Sequence, residues 1–140
     1  MKNMDWQPLK ILVADDQAGV RHLFDILIKE VKHKSYLAQN GLEAVELVRQ
    51  IRPDLVFMDV RMPLMDGLEA LGRIKELMPE TEVVIMTAYG SEETVSAAVQ
   101  RGALCCIAKP FDIDEIKAFL DRFYWTRAER MTAVAGNCAF

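Results

Sequence analysis

Leu55-Val-Phe-Met-Asp59 is a short apolar run that ends in a carboxylate, and the same device recurs along the chain. Ile11-Leu-Val-Ala14 runs into Asp15 and Asp16, Val83-Val-Ile-Met86 into Thr87, and Leu104-Cys-Cys-Ile-Ala108 into Lys109. Apolar runs of this length, separated by stretches of helical period, are the pattern of fully buried parallel strands. In an open α/β sheet the binding crevice lies outside the carboxyl ends of the strands. Asp15, Asp16, Asp59, Thr87 and Lys109 are therefore expected to converge at one edge of one sheet. Three acids, a hydroxyl and an amine in one place make a cation-plus-phosphate site.

Around these runs the chain alternates strand and helix five times. The expected strands are Lys10–Asp15, Ser35–Ala38 (the weakest), a strand ending at Asp59, Glu82–Thr87 and Leu104–Ala108. The first helix spans about Gln17–Lys32, with Val20, Phe24, Leu27, Ile28 and Val31 forming one apolar stripe. Asn40 with Glu43 forms a capping box for the second helix, whose buried face is Val45, Leu47, Val48 and Ile51 before Pro53 stops it. Arg61-Met-Pro-Leu-Met-Asp-Gly67 is a loop, and the third helix runs from about Leu68 to Leu77. Ser91 starts the fourth helix, with Glu92 and Glu93 in its first turn, and Gly102 closes it in the left-handed conformation. Asp112 and Glu115 form a second capping box, opening a fifth helix with Ile113, Ile116, Phe119, Leu120 and Phe123 inward. Such alternation implies right-handed crossovers and a doubly wound parallel α/β sheet, for which the common five-strand order is 2-1-3-4-5. That order sets Asp15, Asp16 and Asp59 side by side, flanked by Thr87 and Lys109.

The bulk properties narrow the function class. A chain of 140 residues with 51% hydrophobic content suits one domain with a substantial core. The expected division is an N-terminal extension over 1–8, a domain over 9–124 and a tail over 125–140. A net charge of -4 with a pI near 5.2 offers no basic stripe for nucleic acid. No apolar stretch is long enough to span a bilayer and residues 1–8 lack a signal-peptide core, so a cytoplasmic location with no membrane partner is expected. Cys105, Cys106 and Cys138 have no ligand spacing and read as reduced small hydrophobes, the adjacent pair pointing to opposite sheet faces. His22 and His33 read as solvated positions on a helix surface.

Three carboxylates a few ångströms apart repel one another until a proton or a cation intervenes. At an exposed edge near pH 7 a cation is favoured, and an all-oxygen donor set suits Mg2+, with Mn2+ or Ca2+ as substitutes. Mg2+ keeps several waters and readily takes a phosphate oxygen. Asp59 on the central strand is the natural nucleophile, forming an aspartyl phosphate. Lys109 would neutralise developing charge on the phosphoryl oxygens, and the Thr87 hydroxyl would hydrogen-bond one of them. A haloacid-dehalogenase-type phosphatase is disfavoured because Arg61, not an acid, lies two residues after Asp59. A flavodoxin-like flavin carrier is disfavoured because Asp15-Asp16-Gln17 would repel a bare phosphate.

Asp15-Asp16, the segment Pro53–Gly67 around Asp59, Met86-Thr-Ala88 and Ala108-Lys-Pro-Phe111 together resemble a response-regulator receiver domain over about Leu9–Phe123. That resemblance implies that Asp59 is the phosphoacceptor and that Asp15, Asp16, Asp59 and the backbone carbonyl of Arg61 hold Mg2+. It also implies that Thr87 and Lys109 sense the phosphate, and that the Lys109–Pro110 bond is cis. Asp15-Asp-Gln17, Gly19-Val-Arg21, Ile85-Met-Thr-Ala-Tyr-Gly90 and Lys109–Ile116 are similar to the sporulation initiation phosphotransferase F group of single-domain receivers. Members of that group accept phosphoryl from a sensor histidine kinase and pass it to a histidine phosphotransfer protein, catalysing the first transfer themselves without conventional turnover. Docking residues carried over from that group are Val20, Arg21, Leu23, Tyr89, Pro110 and Phe111. Where many receivers have a mobile aromatic three residues before the lysine, this chain has Cys106. A small side chain there disfavours a large output switch and fits a relay. Only 31 residues follow Lys109, too few for a helix-turn-helix output domain. The alternative reading is an effector that binds a target once phosphorylated and transfers nothing onward.

Overall fold

The computed structural model describes residues 6–88 and 90–132, so Tyr89 and Cys138 lie outside the described residues. The described elements are β1 (Lys10–Ala14), α1 (Ala18–Glu30), β2 (Lys34–Ala38), α2 (Gly41–Ile51), β3 (Leu55–Asp59), α3 (Gly67–Leu77), β4 (Glu82–Thr87), α4 (Glu92–Gln100), β5 (Cys105–Ala108) and α5 (Ile113–Thr132). The five strands form one parallel sheet in the order β2-β1-β3-β4-β5, as the alternation of apolar runs implied. The chain divides into two compact units, residues 1–110 with the whole sheet and 111–140 with α5.

Both faces of the central strands are covered, which explains their unbroken apolar runs. Successive residues nonetheless serve different layers. Leu12, Ala14, Val56, Met58, Val83 and Ile85 pack with Ala44, Val45 and Val48 of α2, Ala70, Leu71 and Ile74 of α3, and Ala98 of α4. On the opposite face Phe57 meets Phe24 of α1 with ring centroids 5.0 Å apart. Each fully buried side chain of this size contributes about 1.5–3 kcal/mol. Cys106 packs against the first layer, so its neighbour Cys105 points to the other face, as adjacent strand residues must.

The ends of the elements depart from the sequence reading in instructive ways. Strands β2 and β5 are edge strands and only half buried, not fully buried runs. Helix α1 stops at Glu30 because the chain turns through Lys32 at φ 71. That turn carries His33 inside rather than leaving it on a solvated helix surface. His33 is buried, its Nδ1 accepts the Leu9 N–H at 3.0 Å, and its ring stacks on Trp6. In α2 the buried face includes Ala44, while Leu47 and Ile51 are only half buried. Asn40 accepts the Glu43 N–H at 2.8 Å as a capping residue should, but the Glu43 carboxylate reaches Gln39 N instead of Asn40 N. Asp112 takes the Asp114 N–H rather than that of Glu115, and Ile113 is exposed rather than inward. Helix α5 buries Ile116, Leu120, Phe123 and Tyr124. Gly102 adopts φ 101, the left-handed conformation expected after α4.

Candidate functional site

Parallel pairing brings four strand ends to one edge. Ala14 lies opposite Met58, Asp59 opposite Met86, and Thr87 opposite Ala108. Asp15, Asp59, Thr87 and Lys109 therefore sit at the ends of adjacent strands β1, β3, β4 and β5, and Asp16 follows Asp15. Asp15, Asp16 and Asp59 each offer a carboxylate oxygen, and these atoms all lie within 4.8 Å of one another.

Asp15 is completely buried, Asp59 is nearly so and Asp16 is exposed. A buried carboxylate must find donors. Asp15 finds two: Oδ1 accepts the Gln17 N–H at 2.9 Å, and Oδ2 accepts Lys109 Nζ at 2.7 Å. The same ammonium stands 3.2 Å from Asp59 Oδ1. Lys109 thus lies across both carboxylates as a counter-charge.

The electrostatics are a contest that the acids partly lose. Burial pushes the Asp59 carboxyl above the ordinary carboxylate range, and the charge of Asp15 pushes it further; Lys109 pulls it back, and Asp16 adds a small upward push. For Lys109 burial alone would lower the pKa. The hydrogen bond and charge of Asp15, followed by those of Asp59, outweigh that, and the ammonium is held above its ordinary value. At neutral pH the amine is charged, and the site carries one cation among three acids. A divalent cation would relieve the excess.

The loop from β3 to α3 shapes the mouth. An open depression of about 650 Å3 is lined by Asp16, Val60, Arg61, Met62, Pro63 and Asp66. Asp66 also caps α3, its Oδ1 accepting the Glu69 N–H at 2.8 Å. Two glycines clamp the loop by close approach of backbone. Gly67 N–H donates to Val60 O at 2.7 Å, and Gly41 N–H donates to Met65 O at 3.1 Å. A Cβ on Gly67 would stand 2.0 Å from Asp59 O, and one on Gly41 2.2 Å from Met65 O. Neither residue was singled out from the sequence, although an Asp-Gly pair ahead of a helical run signals a cap.

The remaining candidates are dispersed. Val20 is half buried, and Leu23 is 36% exposed on α1. Arg21 turns inward: its Nη1 donates to Asp15 O at 2.7 Å, so it braces the acidic turn. The Lys109–Pro110 bond is cis, Pro110 is exposed and Phe111 is half buried. Cys106 is half buried and free.

The response regulator receiver domain matches residues 11–121 of this chain. The sporulation initiation phosphotransferase F of Bacillus subtilis is 42% identical over 114 residues, covering 81% of this chain and 92% of that protein. The chemotaxis protein CheY of Listeria monocytogenes is 36% identical over 115 residues, covering 81% of this chain and 97% of that one. Among solved structures, the CheX–CheY–BeF3–Mg complex from Borrelia burgdorferi matches with a TM-score of 0.79 at 26% identity, covering 84% of this chain and 90% of that chain. This chain belongs to the response regulator receiver family. No described helix is long and apolar enough to cross a membrane.

Proposed function

We propose that this receiver takes a phosphoryl group onto Asp59 from the phosphohistidine of a sensor histidine kinase and hands it to a histidine phosphotransfer protein. The observation that supports this most is the Lys109 ammonium lying 2.7 Å from Asp15 and 3.2 Å from Asp59 beside three clustered carboxylates. A set of oxygen ligands this close together fits Mg2+, and Mn2+ as a substitute. Asp15, Asp16, Asp59 and the carbonyl of Arg61 would hold the ion. When bound, it would neutralise charge on the phosphoryl oxygens.

The protein's own residues do the rest. An Asp59 carboxylate oxygen attacks phosphorus as the phosphorus–nitrogen bond of the phosphohistidine breaks, and the imidazole leaves with the electron pair. The transition state is loose, so positioning and charge supply most of the acceleration. Asp15, fixed by Gln17 N and Arg21, keeps Lys109 aimed at the reacting carboxylate. Lys109 balances charge on the transferring group, and the Thr87 hydroxyl donates to one of its oxygens. Onward transfer reverses the bonds: an imidazole nitrogen attacks, the acyl phosphate opens, and Asp59 returns as carboxylate.

The similarity to sporulation initiation phosphotransferase F supports a relay, and this reading sets that relay in the cytoplasm. The similarity to a chemotaxis protein supports a second reading, in which the phosphorylated chain binds a target and transfers nothing. One experiment separates them. The phosphorylated chain is freed of donor and mixed with histidine phosphotransfer proteins from the same genome, and both partners are weighed intact. Movement of the phosphoryl group onto a partner histidine is the expected result; complex formation with no movement would support the effector reading.

A further inference from the structure

Leu64 is the most exposed large apolar side chain among the described residues, at 76%. It also adopts φ 70, in the left-handed region that a leucine seldom enters. The reason is local. Met65 N–H donates to Pro63 O at 2.7 Å, closing a three-residue turn with Leu64 at its centre. A turn of this kind with a positive central φ is rare and strained. The loop cannot relax easily, because Gly67 ties one side of it to Val60 and Met65 is tied to Gly41. A glycine or asparagine would hold this turn with less strain and expose less apolar surface. Strain and exposure therefore coincide at one residue, in the loop whose Pro63 and Asp66 line the depression next to the acidic cluster. Strained residues that persist at a site mouth point to function.

We propose that Leu64 is a contact residue for the sensor histidine kinase that donates phosphoryl to Asp59, seating against apolar surface beside the histidine that the kinase presents. This rests on the proposed phosphotransfer. To bring an imidazole to Asp59, a partner must cover the same mouth and so meet the turn that lifts Leu64 into solvent. A small phosphoryl donor enters the depression without that contact. Leu64 thus separates protein donors from small ones.

The test uses the full chain with Leu64→Gly and Leu64→Asn, which keep the turn, and Leu64→Met, which keeps the apolar contact. Leu77→Asn serves as a control for exposed leucine at the far end of α3. Each is labelled with acetyl phosphate and Mg2+. Each is then labelled by the autophosphorylated kinase region of the sensor kinase, from the same genome, that transfers fastest to the wild type. Small-donor rates within twofold of wild type are expected throughout. Kinase transfer, as kcat/KM, should fall about tenfold in Leu64→Gly and Leu64→Asn, the scale of losing one buried leucine contact. Leu64→Met should restore it, and Leu77→Asn should leave it unchanged. Unchanged kinase transfer in Leu64→Gly, or an equal loss with both donors, would overturn the contact role. If no kinase labels a wild type that acetyl phosphate does label, the phosphotransfer reading falls, and this one with it.

Discussion

Asp59 carries a stability cost that its chemistry requires. Its pKa is raised by burial and by Asp15, so the folded protein binds that proton more tightly than the unfolded chain. The sign follows from linkage: stability from this group is present below the ordinary carboxylate range and is lost as pH rises through the raised value. With metal chelated, Asp59→Asn should therefore melt higher than wild type at pH 7, and the gap should narrow as pH falls toward that range. Thermal unfolding across pH in EDTA reads this directly. A less stable variant at pH 7 would mean that the attraction of Lys109 outweighs burial and Asp15. Gly67 makes the opposite case: its side chain is absent because the backbone of Asp59 occupies the space. Gly67→Ala must displace Asp59 O, 2.0 Å from the added carbon, and should cost about 1–3 kcal/mol by denaturant unfolding.

At the scale of elements, the strand ends were legible, and the tertiary partners of the turns between them were not. Four apolar runs ended in the residues that now crowd one sheet edge, because a buried strand can turn polar only where it leaves the sheet. The edge strands were harder: a run such as Cys105–Ala108 has the composition of an interior strand, and only the order β2-β1-β3-β4-β5 leaves it half buried. Burial pushes the Cys105 thiol up to about 11. At pH 8 its thiolate is about a thousandth of the total, whereas an ordinary cysteine near 8.5 is about a quarter ionised. Alkylation by iodoacetamide, followed by peptide mass, should thus be slow at Cys105 in the folded protein and fast in denaturant. Comparable rates in both states would show that the thiol is neither buried nor shifted. The interior place of His33 and the inward turn of Arg21 were illegible for a shared reason. Each follows from a partner distant in the chain or bonded through backbone, Leu9 N–H for His33 and Asp15 O for Arg21, and apolar periodicity carries no trace of either. The clamp of Gly67 on Asp59 is likewise a close approach between backbones, visible only once the loop is folded.

Across the whole molecule, the sheet joins a rigid floor to a charged rim. The inner strands are packed on both faces, so Asp15 and Asp59 are held at fixed separation while Asp16, Arg61, Pro63, Leu64 and Asp66 face solvent. That division suits a protein whose reaction needs positioning and charge and whose partners must reach the reacting carboxylate from outside. The most direct test of the central claim is the intact mass of wild type and Asp59→Asn after incubation with acetyl phosphate, with and without Mg2+. A gain of one phosphoryl group that requires Mg2+ and disappears in Asp59→Asn is the predicted result. No gain in the wild type, or an equal gain in Asp59→Asn, would contradict the assignment of Asp59 as the residue that takes the phosphate.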